Sequence, residues 1–109
     1  MTYNNNQIVK ELISLFNEDY VSKIHYSNKG ANLETHVEIY RPISLNESRF
    51  SILKDKKVGD FSVYSGRDYT NETSINWLDR DFSAKYAPNV VNFLINHKVN
   101  IIRISTIGQ

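Results

Sequence analysis

The chain contains no cysteine. That excludes a disulfide framework, thiolate zinc sites, iron–sulfur clusters and a cysteine nucleophile, and it fits a reducing compartment. Glycine is scarce: Gly30, Gly59, Gly66 and Gly108 stand far apart, so neither a Walker A loop nor a dinucleotide fingerprint is present. There is no Gly-x-Ser-x-Gly elbow, and a serine nucleophile needs a positioned base and an oxyanion site beside it. No long apolar run occurs. The opening MTYNNNQIVKELISLF has no basic n-region and no apolar h-region, so neither an export signal nor a membrane span is expected. A cytoplasmic location without membrane contact follows as an expectation. Neither sign of charge dominates: 13 Lys and Arg stand against 12 Asp and Glu. A mimic of DNA is strongly acidic and a bulk polyanion binder strongly basic, and this chain is neither.

Within that balance the charge is uneven. Residues 48–67 hold five bases and two acids, residues 68–81 one base and four acids, and residues 82–109 three bases and no acid. The 109 residues suit one domain spanning 1–109. A chain of this size buries roughly 60–68% of its unfolded surface, enough for one core without staples. The composition favours Ile, Asn, Lys and Tyr over Ala, Gly and Pro, a preference for AT-rich codons that fits a bacterium, a phage or a plasmid. Two glycosylation sequons begin at Asn46 and Asn71; without a secretion signal they read as chance matches in an Asn-rich chain.

Periodicity gives the elements. Ile8, Val9, Leu12, Ile13 and Phe16 share one helical face, so a helix is expected from a cap at Asn5 or Asn6 to about Glu18. YVSKIHYSN and LETHVEIYRPI alternate on either side of the turn residues Asn28–Asn32, the pattern of an antiparallel hairpin. Short apolar runs at Phe50–Lys54 and Phe61–Tyr64 suggest a third and a fourth strand, with DKKVGD as their turn and the lysines at a solvated tip. Ser74 reads as the cap of a short helix through Ile75, Leu78 and Phe82, and Pro88 as the first residue of a further helix carrying Val90, Val91, Phe93 and Leu94. VNIIRISTI reads as a last strand. The order α-β-β-β-β-(α)-α-β predicts an α+β two-layer domain: an N-terminal helix, a mainly antiparallel four- to five-stranded sheet, and a second helix before a C-terminal strand. One sheet face is then left to be polar or to dock something.

The stretch Ser65–Pro88 concentrates the chemistry-bearing residues. Trp77, the single Trp, reads first as a core anchor that drops its ring on the sheet. Arg67, Tyr69, Trp77 and Arg80 are also the residue types that dominate binding hot spots, and they form the expected partner-binding set. Asp68, Glu72, Asp79 and Asp81 invite a Mg²⁺ reading as a metal-dependent nuclease or phosphoesterase, but their spacing matches no metal loop, and surface ion pairs with Arg67, Arg80 and Lys85 explain them. His25 and His36 are expected to face each other across the first hairpin, beside Glu34 and Glu38. Such a group could bind zinc or iron, or respond to pH; an ordinary polar sheet surface explains it without either. His97 and Lys98 suit a helix C-terminus.

The expectation from these residues is a small intracellular binding protein without cofactor or metal, more a docking surface than an enzyme. It would inhibit or regulate a protein, or a protein–nucleic acid complex, sterically, and a homodimer is compatible. Small size and AT-rich codons suit a phage or mobile-element accessory protein, such as an inhibitor of a host defence system. The alternative is a nucleic-acid binder using Tyr40, Arg49, Lys54, Lys56, Lys57 and Tyr64, since aromatic platforms in a basic groove bind single strands; the basic–Gly–aromatic signature of an RNA-recognition motif is absent.

Overall fold

The structure, a computed structural model, describes residues 5–17, 19–30, 32–45, 52–66 and 70–106. It contains α1 (Asn5–Ile13), β1 (Val21–Lys29), β2 (Asn32–Leu45), β3 (Ile52–Ser65), β4 (Asn71–Trp77), α2 (Arg80–Asn96) and β5 (Asn100–Thr106). The five strands form one sheet in the order β1-β2-β3-β4-β5. The first four are antiparallel neighbours, and β5 returns through α2 to lie parallel to β4, because a helical crossover brings the chain back in its starting direction. The expected α+β domain, with its N-terminal helix, mostly antiparallel sheet and second helix before the last strand, is what the structure shows.

Both helices lie on one face of the sheet, α1 over β2 and β3, α2 over β3, β4 and β5. Ile8, Val9 and Leu12 of α1 and Phe82, Tyr86, Val90 and Leu94 of α2 point down onto Val37, Ile39, Phe61, Val63, Ile75 and Trp77. Each such side chain contributes roughly 1.5–3 kcal/mol by leaving water. An aromatic group ties the two helices together. Phe16 and Tyr20, just after α1, have ring centroids 5.3 and 5.0 Å from that of Phe82, and Trp77 lies 5.8 Å from it. The Tyr86 hydroxyl accepts a hydrogen bond from the Asn17 amide.

Four local readings change. First, α1 stops at Ile13 rather than near Glu18; its last turn tightens, with the Leu15 and Phe16 amides bonded to the Leu12 and Ile13 carbonyls, and this sends Phe16 back onto α2. Second, the expected strand–turn–strand at 50–64 is one unbroken 14-residue strand, so Lys56 and Lys57 lie within a strand rather than at a hairpin tip. Gly59 is there for space rather than for a turn. A Cβ on it would meet the Asn76 carbonyl oxygen at 3.0 Å and the Phe82 ring at 3.5 Å. Val58, skipped in the register between Ile39↔Gly59 and Tyr40↔Lys57, forms a bulge. Its carbonyl accepts from both Leu78 and Asp79 amides.

Third, the expected short helix after Ser74 is β4. Asn71, Thr73, Ile75 and Trp77 are buried in strict alternation, which is a strand's period, and the Asn71 sequon therefore lies in a buried strand. Fourth, α2 begins at Arg80, eight residues before the expected Pro88. Asp79 caps it, its carboxylate accepting the Phe82 amide at 2.9 Å, and Pro88 sits exposed inside the helix. The described residues of 65–88 thus lie mostly in β4 and α2, which bury Asn71, Thr73, Ile75, Trp77, Phe82 and Tyr86, rather than in a solvated connection.

Candidate docking surface

The strand period puts one set of side chains under the helices and the other on the uncovered face of the sheet. On that open face the register aligns Lys23 with Glu38 and Glu38 with Asp60, His25 with His36 and His36 with Ser62, and Tyr40 with Lys57. Glu34, Tyr64 and Glu72 form a further row across β2, β3 and β4. Two carboxylates standing directly opposite would repel. Lys57 resolves this by bridging Glu38 at 3.0 Å and Asp60 at 2.8 Å. His25 Nε2 lies 2.9 Å from the other Glu38 oxygen, and the Lys23 ammonium lies over the Tyr40 ring, 4.5 Å from its centroid, a cation–π contact.

These bonds set the charge states. The hydrogen bond from Lys57, then that from His25, hold the Glu38 carboxyl down to about 2. Loss of hydration pulls the Lys57 ammonium downward, but its bonds to Asp60 and Glu38 outweigh this and raise it. Desolvation, then the neighbouring Glu38, raise the Tyr40 phenol. A carboxylate held so low is a poor proton carrier near neutral pH, where a general acid or base is best tuned close to the working pH. The His36 Nδ1 lies 2.7 Å from Ser62 Oγ, the spacing of a base and a nucleophile. Ser62 is only 5% exposed, so its hydroxyl is shielded from an incoming substrate. Neither Ser62 nor the Lys57–Asp60 link was signalled by sequence, because both depend on β3 continuing through residues 57–62, with the bulge at Val58 bringing Lys57 to the same face as Asp60.

Of the expected partner-binding residues, two are described, Trp77 and Arg80. Trp77 is 4% exposed in the core. Arg80 is exposed at the start of α2. Arg67 and Tyr69 lie outside the described residues. Of the acids considered for a metal, Glu72 is on the open face, Asp79 is the buried helix cap and Asp81 is exposed in the first turn of α2; Asp68 lies outside the described residues. Among the described residues no three His, Asp or Glu side chains converge to hold a metal ion. His25 and His36 do face each other, their rings 6.1 Å apart. His97 caps α2 and stacks on Phe93 at 4.1 Å.

For the nucleic-acid set, Tyr40 and Lys57 are knitted into the Glu38 network, and Tyr64 borders a hollow of about 560 Å³ with Glu72 and Ile102. Lys56 reaches Asp79 at 2.9 Å, with Arg41 3.8 Å from the same oxygen. Lys54 is placed in β3 by its backbone, and Arg49 lies outside the described residues.

The longest feature is the β2–β3 pair. β1 reaches only Tyr40 and β4 only Gly59, but β2 and β3 continue to the pair Leu45↔Ile52. Arg41–Leu45 and Ile52–Lys56 therefore leave the body as a two-stranded ribbon, roughly 17 Å long, and the molecule measures 55 × 26 × 24 Å. Comparison with family models, curated proteins and solved structures found no match for this chain.

Proposed function

We propose that the chain is a non-catalytic binding protein, a firm two-layer body that docks on another macromolecule and regulates or blocks it by occupying its surface. The ribbon carries this reading. A two-stranded hairpin has little core of its own and is marginal in water, so one that outruns its sheet gains most where something packs on it. Its strands carry Ile43, Leu45 and Ile52 together with Arg41, Lys54 and Lys56, a mixture of apolar and basic residues suited to a protein surface. The open sheet face supports the same reading: its central acids are neutralised by cations already in place, so it can meet a partner without carrying isolated charges into the interface. Small size and AT-rich codons suit a phage or mobile-element product acting on a host factor.

The test shortens the ribbon by replacing residues 43–54 with a two-residue Asn-Gly turn between Pro42 and Asp55, a pair in register. The expected result is a folded protein that no longer captures the partner held by the full chain in its native host. Equal capture by both forms overturns the reading, as does catalytic turnover by the purified protein.

A second reading has its own observation: three bases, Arg41, Lys54 and Lys56, lie along the ribbon strands, which suits insertion along a nucleic acid. A gel-shift series across salt tests it, since phosphate contacts give an affinity that falls steeply as salt rises. Against it, Arg41 and Lys56 both lean on Asp79.

A further inference from the structure

The sheet ends in two open edges, and they are not equivalent. β5 has seven residues and a register shift opposite Thr73/Ser74, and a bulge twists an edge away from new partners. β1 has nine residues and pairs with β2 without interruption from Val21↔Tyr40 to Lys29↔Asn32. Among the described residues no strand pairs with its far side, so a row of backbone donors and acceptors faces outward.

Charged side chains usually protect such an edge. Here two of them are turned back: Lys23 lies over Tyr40 and His25 is bonded to Glu38 on the neighbouring strand. On the helix side of β1, Ile24 and Tyr26 remain 40% and 62% exposed, because α1 covers β2 and β3 and stops short of them. They make an apolar ledge beside a continuous backbone ladder. The strand's own sequence, VSKIHYSNK, contains two lysines and a histidine and no acid.

We propose that β1 accepts an extended segment of a partner protein as a sixth strand, and that this segment alternates apolar with acidic residues. Main-chain bonds to a sheet edge give affinity, and alternate side chains give specificity. The apolar positions of the incoming strand fall beside Ile24 and Tyr26, and the acidic positions fall beside Lys23 and His25. Charge decides against a second copy as the occupant. Two β1 strands brought together would set lysine and histidine against lysine and histidine, with no acid from either edge.

The proposal rests on the docking reading but uses a surface distinct from the ribbon, and its test needs no native partner. The intact protein is titrated with a short synthetic peptide alternating valine and glutamate, followed by amide NMR shifts and hydrogen exchange. The expected result is slowed exchange and shifts confined to Val21–Lys29 and the facing residues of β2. A valine–lysine peptide should bind much more weakly, and Lys23→Gln, an exposed position where glutamine sets no second carboxylate opposite Glu38, should weaken the glutamate peptide up to about fivefold while leaving the melting curve nearly in place. Equal binding of both peptides, shifts elsewhere, or no binding by a folded protein overturns the proposal. So does a concentration-dependent dimer that protects the β1 amides without peptide. Loss of partner capture on ribbon shortening, with peptide binding retained, would separate the two surfaces.

Discussion

Lys56 Nζ lies 2.9 Å from Asp79 Oδ2, joining the root of the β2–β3 ribbon to the first turn of α2. Asp79 serves two structures at once. One oxygen accepts the Phe82 amide and caps the helix, while the other takes Lys56 and faces Arg41. The amide bond first, then Lys56, hold its pKa below the usual carboxylate value.

Asp79→Ala should destabilise the protein by about 1–2 kcal/mol through the lost cap. Asp79→Asn keeps an oxygen for the Phe82 amide and should cost less. Urea denaturation of the two variants checks the order; equal losses would mean that the charge, not the cap, dominates.

Gly59→Ala should cost roughly 1–3 kcal/mol, the range for overpacking, since the added methyl must displace the Asn76 carbonyl or the Phe82 ring. Thermal melting measures it. A neutral result would show that β3 and α2 can part without penalty.

Pro88→Ala should stabilise, by about 1–2 kcal/mol. Proline inside a helix removes one backbone hydrogen bond and crowds the preceding turn, and Pro88 is exposed, with no core contact to lose. A higher urea midpoint with an unchanged slope is the expected result.

The Glu38 network predicts an acid limb. The folded pKa is about 2 against an ordinary 4.5, a lowered value, so the folded state binds fewer protons than the unfolded. The stability contributed by Glu38 is therefore fully present above pH 4.5 and lost as pH falls from 4.5 towards 2. Glu38→Gln should flatten that part of the stability profile. A variant with the same acid slope as the parent would show that other carboxylates set it.

Arg67, Tyr69 and Arg80 changed together to alanine should leave the melting temperature nearly unchanged, whereas Trp77→Ala should cost about 3–5 kcal/mol. If the triple variant keeps full partner capture, the contact surface is the ribbon and sheet rather than these three positions.

Local chemistry was enough for α1, for the β1–β2 hairpin with Gly30 at φ 63°, for β5 and for the two-layer arrangement. Each of these repeats an apolar period over its own length, or changes direction at turn residues, so neighbouring positions carry the whole signal. Trp77 as a core anchor was legible for a related reason: a large ring in a polar stretch has few stable places other than the sheet.

Tertiary packing decided the rest. Gly59 beside lysines reads as a turn because glycine is locally free, but the close approach of Asn76 and Phe82 makes it a spacer in a continuous strand. Asn71 and Thr73 look like loop residues, yet both are buried in β4 by α2 and the neighbouring strands. Pro88 marks a helix start in isolation and is tolerated mid-helix because Phe82, Tyr86, Val90 and Leu94 hold both sides of it to the core. The open face, the free β1 edge and the ribbon follow from which strands stop early and where the helices lie, relations between distant segments that no local pattern encodes.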